Sequence, residues 1–142
     1  STDNNFFITG VQMEVGPVAT EFEQEDISTT LAKCQRYYQK WLSDTVSDSV
    51  MTAAAISDVA FIGDYFLKTS MRSVPTMGTS GTYKARLKTN DRAITGQPSI
   101  NRATTENVQI FATIATDNNE SGFAGFLKTD DDDAFLEFIA EL

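Results

Sequence analysis

Apolar and polar residues alternate along the first part of the chain. Val11, Met13 and Val15 fall on one side, Gln12 and Glu14 on the other. A period of two predicts a strand over Phe6 to Val15 with one buried face. Gly16-Pro17 ends it, because proline offers a ladder no N–H. Glu21, Glu23, Glu25 and Asp26 then lead into a second pattern. Ile27, Leu31, Cys34, Tyr38 and Leu42 recur at spacings of three and four, which predicts an amphipathic helix over residues 27–42. Asp26 is its predicted N-cap, and Lys33, Arg36 and Lys40 lie toward the end that favours cations.

Beyond the helix the period returns to two. SDTVSDS, residues 43–49, is a polar release, and Val50 to Ile56 is a small-residue apolar run for which a strand or irregular segment is expected. Val59–Ile62 and Tyr65–Met71 are expected as two strands parted by a Gly63-Asp64 turn. Val74-Pro75 marks a strand edge. Thr82 to Lys88 sets Tyr83, Ala85 and Leu87 against Lys84, Arg86 and Lys88. Residues 89–104, TNDRAITGQPSINRAT, are the longest polar stretch and are expected as a loop. Asn107 to Thr116 turns Val108, Ile110, Ala112 and Ile114 inward. Residues 117–122 and 130–133 have turn composition, with strands expected at Phe123–Lys128 and Ala134–Leu142. Closely spaced Gly/Asn/Asp turns predict a sandwich or barrel of short antiparallel strands; of the two the expected fold is all-β, an antiparallel β-sandwich, jelly-roll-like, with one amphipathic helix at about 27–42.

The length, 142 residues, predicts a single domain over 1–142 with enough chain for a core, and ten Phe and four Tyr supply its large pieces. A net charge of −9 argues against nucleic acid, whose phosphates need a basic surface. No apolar stretch reaches the ~18 residues of a membrane span, so no membrane partner is expected. The opening STDNNFF lacks the charged and apolar regions of a signal peptide. One cysteine allows no internal disulfide, which suits a reducing cytoplasm.

Candidate chemistry is sparse. Histidine is absent, so Ser-His and Cys-His pairs are impossible. Cys34, on the apolar stripe, is expected as a buried structural thiol. Asp130 to Asp133 lacks the spacing of a calcium loop and reads as a solvated turn. Many acids are present, but nothing pairs two of them for glycoside hydrolysis. The sequence therefore implies no enzyme, no cofactor and no metal site. Lys84, Arg86, Lys88, Arg92 and Arg102 gather five of the eleven basic residues into nineteen positions. They are either a polar outer strand face or a patch for an anionic sugar or lipopolysaccharide phosphate; the first is the simpler reading. With Asn118 and Asn119 of the 117–121 turn they are the candidate glycan or partner contacts, and the 89–104 loop is the expected carrier. Tyr37, Tyr38 and Trp41 are expected to pack rather than to stack on a sugar.

One stretch resembles a known family. GVQMEVGPVATEFEQEDISTTLAKCQRYYQKW is similar to a segment of bacteriophage tail-fibre and related virion proteins. The segment matches in order at Gly10, Val11, Gln12, Glu14, Gly16, Ala19, Thr20, Phe22 and Glu23, then at Cys34, Gln35, Arg36, Tyr37 and Tyr38. Met71-Arg72-Ser73-Val74-Pro75-Thr76 and the terminal Ala140-Glu141-Leu142 resemble two shorter pieces of the same family. The resemblance implies a C-terminal β-sandwich domain of a virion fibre, made in the host cytoplasm. It further implies a homotrimer that contacts other virion proteins and attaches to host-surface polysaccharide. A capsid-decoration, knob or fibre-capping module with a purely structural role is the alternative. The family implies no catalytic residue.

Overall fold

The computed structural model describes residues 8, 10–18, 20–22, 24–115 and 121–141. It is an antiparallel all-β structure with one short helix. The helix, α1, spans Ile27–Gln35. Strands follow at Tyr38–Leu42 (β1), Ser49–Ala55 (β2), Ala60–Phe66 (β3), Thr76–Ser80 (β4) and Tyr83–Leu87 (β5). Asn90–Ala103 (β6), Asn107–Ile114 (β7), Ala124–Thr129 (β8) and Phe135–Ile139 (β9) complete the order. Six of these strands close a barrel, β2-β3-β7-β6-β5-β8, and the others form a three-stranded sheet, β1-β9-β4, so two sheet layers share one core.

Alternation places that core. Tyr83, Ala85 and Leu87 point into the barrel from β5, as do Val108, Ile110, Ala112 and Ile114 from β7, all buried as their spacing predicts. From β9, Leu136 and Phe138 bury completely. Phe138 stacks on Tyr65 of β3 with ring centroids 5.0 Å apart, which joins the small sheet to the barrel. The Tyr83 hydroxyl makes a second join, its one proton shared between the Phe135 carbonyl at 2.7 Å and that of Ser80 at 3.0 Å. The run at Val50 to Ile56 is strand β2, and its small residues are needed because β3 and β8 press on either side.

Several expectations are corrected. Residues 8 and 10–15 form no strand; Val11, Met13 and Val15 are largely in solvent, because nothing in the described residues pairs with them. Phe6, Phe7 and Thr9 of that stretch lie outside the described residues. The helix ends at Gln35 rather than at 42. Asp26 caps it as expected, accepting from the Ser28 amide at 3.0 Å. Past Arg36, though, the chain turns extended so that Gln39 and Trp41 face the core on a period of two. Gln39 is buried and saturated: it donates to the carbonyls of Gln35 and Thr69 and accepts from the Lys68 amide at 2.8 Å. The supposed stripe of Ile27, Leu31, Cys34, Tyr38 and Leu42 therefore runs across a helix and a strand, and all five residues are exposed. Cys34 is an exposed thiol, not a buried one.

Gly63-Asp64 is not a turn. Both residues sit inside β3, where an added Cβ on Gly63 would lie 2.5 Å from the Thr52 carbonyl oxygen of β2. Glycine serves close strand approach there. The presumed 89–104 loop is β6, at 14 residues the longest strand. Its register against β7 slips between Thr95 and Ser99, where Gly96 adopts φ +75° and Pro98 is buried. A bulge is the place where a strand tolerates both residues.

Candidate functional site

The five basic residues do not form one patch. Lys84 and Arg86 project from the outer face of β5 into carboxylates. Lys84 Nζ lies 2.8 Å from Asp130 Oδ1 and 3.6 Å from Asp91 Oδ2. Arg86 Nη1 lies 3.1 Å from Asp91 Oδ1. The hydrogen bond to Asp130 holds the Lys84 ammonium above the usual lysine range, against partial desolvation. Arg86 stands directly across the ladder from Asp91, so the sheet itself supplies the neutralising charge. Lys88 lies over the Phe123 ring, its Nζ 3.7 Å from the centroid. Arg92 faces Ala85 across the ladder, on the inward side, and is half-buried. Asn118 and Asn119 lie outside the described residues.

Arg102 is different. It sits on the outer face of β6 opposite Gln109 of β7, and Gln109 in turn lies opposite Asp64 of β3. Three strands thus align a carboxylate, an amide and a guanidinium in one row. The row borders a depression of about 160 Å³ lined by Asp64, Arg102, Ala103, Thr104, Asn107 and Gln109. Internal hydrogen bonds fix its walls. Gln109 Nε2 donates to Asp64 Oδ1 at 3.4 Å, and Asn101 Nδ2 donates to Gln109 Oε1 at 2.7 Å. Thr104 Oγ1 donates to Asn107 Oδ1 at 2.6 Å and accepts from the Asn107 amide at 3.1 Å.

These side chains offer donors and acceptors in alternation, a chemistry matched to hydroxyl-rich ligands. The depression is smaller than the ~300–1,000 Å³ of enclosed small-molecule sites, which suits a shallow, weak contact. Its lining holds a single carboxylate, Asp64. Asn107 and Gln109 were visible in the sequence as the polar partners of Val108 and Ile110, hence as an outer face. Asp64 was hidden by the turn-like Gly63-Asp64 pair. No cross-chain signal in the sequence could have aligned three strands on it.

Among the described residues, no group of three or more His, Cys, Asp or Glu side chains could hold a metal ion. No described helix is long and apolar enough to cross a membrane. In comparisons with family models, with curated proteins and with solved structures, nothing matches this chain.

Proposed function

We propose that this chain is an attachment domain of a bacteriophage fibre or spike, and that it holds host-surface polysaccharide in the Asp64–Arg102–Asn107–Gln109 depression. The observation that carries the reading is the ordered agreement of residues 10–38 with the tail-fibre segment. The depression adds a polar site of suitable chemistry on a stiff barrel face. With one carboxylate in its lining, it suits binding better than glycoside cleavage, which uses two. A contact this small is weak per copy, and a homotrimer would multiply it through effective concentration.

Binding to whole cells tests the reading. The purified protein is expected to be retained by cells of a susceptible strain and released by free polysaccharide from that strain. Replacing Arg102 and Asn107 together by Ala is expected to lower retention about tenfold, the effect of ~1.4 kcal/mol. Retention that ignores both the sugar and the substitutions would reject the site. Gold-labelled antibody on intact virions locates the domain: label at fibre tips accords with attachment, and label over the head supports the capping or decoration role. The exposed Val11, Met13 and Val15 favour that second role, since apolar side chains left in water mark a contact with another protein.

A further inference from the structure

Residues 10–18 and 20–22 form a hook. Glu14 accepts from the Thr20 amide at 2.5 Å and from the Thr20 hydroxyl at 2.6 Å, and Gln12 Nε2 reaches the same hydroxyl at 3.3 Å. At the mouth of the hook the Phe22 ring lies against Gly10. The polar side of the period-two pattern is thus spent on fixing the hook. The apolar side faces outward, with Val11 77%, Met13 98% and Val15 108% exposed. An extended segment held in shape with a bare aliphatic edge is pre-organised for a partner, because little ordering remains to be done on binding.

The same chain carries a surface that fits it. A groove of about 430 Å³ runs where Trp41 of β1 meets β2 and β3, with Met51, Tyr65, Phe66 and Lys68 among its walls. Phe66 is largely exposed beside it. β1 pairs with β9 on one side and, among the described residues, with no strand on the other. No residue of the hook lines the groove of its own chain. Charge is divided in the same sense. Residues 10–22 contain Glu14 and Glu21 and no lysine or arginine, whereas Lys68 lines the groove and Lys40 lies on β1. The groove's own carboxylate, Asp64, is engaged by Gln109.

We infer that the hook of one copy docks in the β1-side groove of a second copy, laying Val11, Met13 and Val15 against Trp41, Met51 and Phe66. The extended arm runs beside the unpaired edge of β1, the geometry of strand addition. Opposite charges on hook and rim set its direction. Such a contact is heterologous, and repeated about an axis it closes into a ring of copies. It shares Asp64 with the sugar depression, whose other walls come from β6, β7 and the turn between them.

Cross-linking decides it. Two full-length proteins are made in a Cys34→Ser background, one with Met13→Cys and one with Lys68→Cys. After mixing and mild oxidation, a covalent pair containing one of each is expected. It should exceed by at least about tenfold the yield when Arg86→Cys, on the opposite barrel face, replaces Lys68→Cys, the margin of a ~1.4 kcal/mol preference. Equal yields would overturn the inference. So would a chain bearing both Met13→Cys and Lys68→Cys that closes only on itself. Sedimentation gives a second readout. The unsubstituted protein should sediment as an assembly at tens of micromolar, and the combined Val11→Asp, Met13→Asp and Val15→Asp variant as a single chain with an unchanged far-UV circular-dichroism spectrum. A single chain in both samples would reject exchange between copies.

Discussion

The arm at residues 10–18 and strand β7 carry the same code and meet opposite fates. Each alternates aliphatic and polar side chains. In β7 the aliphatic residues are sealed between β3 and β6, and Val108 and Ile110 have no exposed surface. In the arm they stand in water. The difference lies not in propensity but in whether a neighbouring strand is present to accept the ladder. A period of two announces a partner; it does not say that the partner belongs to the same fold. Helix α1 is close to the same case: it too buries no residue, and the Asp26 cap, the Glu25–Lys33 ion pair and one bond from Thr69 Oγ1 to Gln35 Oε1 at 3.2 Å hold it.

The sharpest way to break this comparison is to remove equivalent apolar groups from both regions. Phe138→Ala is expected to cost about 3–5 kcal/mol in urea unfolding, because it empties a site shared by barrel and sheet. Val15→Ala should stay within about 0.5 kcal/mol, as for other surface changes. Similar losses at both positions would mean that the arm packs on its own body. Next comes Gly63→Ala, expected to lose about 1–3 kcal/mol, because its methyl group would meet the β2 backbone rather than a side chain that can move. Gln39→Ala should lose about 1–3 kcal/mol by leaving the Lys68 amide and two carbonyls without their partner.

The smallest effect is a pH dependence. Burial, with the Asp131 carboxylate nearby, pushes the Tyr83 phenol far above the usual tyrosine range. Its folded pKa is raised, so its contribution to stability is fully present below the unfolded value of about 10 and declines as pH climbs beyond it. Urea midpoints should therefore fall above pH ~10, and Tyr83→Phe should flatten that fall while lowering stability at neutral pH. An unchanged slope in the variant would assign the alkaline loss to other groups.

The sequence made the all-β class and most inward faces legible, because β5 and β7 alternate without interruption. It failed where one strand borrows its identity from its neighbours. β6 shows few apolar residues since much of its length faces outward, and its Gly96 and Pro98 look like a loop until the bulge against β7 explains them. The helix was overextended because Tyr38 and Leu42 happen to continue its spacing, while the signal that ends it, the burial of Gln39, depends on distant carbonyls. The row from Asp64 through Gln109 to Arg102 could not be seen along one dimension, because each member comes from a different strand.

The pairing of β1 with β9 has a consequence in time. Tyr38 bonds to Glu137 across 99 positions, and the barrel seam joins β2 to β8, so neither layer is complete until nearly all of the chain is available. Folding with such distant closures is slow, since loop entropy is lost before the contacts repay it. On the ribosome, the arm and α1 emerge before the strands that build the groove. Within one chain the groove is therefore finished later than the arm, so an arm that docks as inferred must meet a groove on a chain already folded.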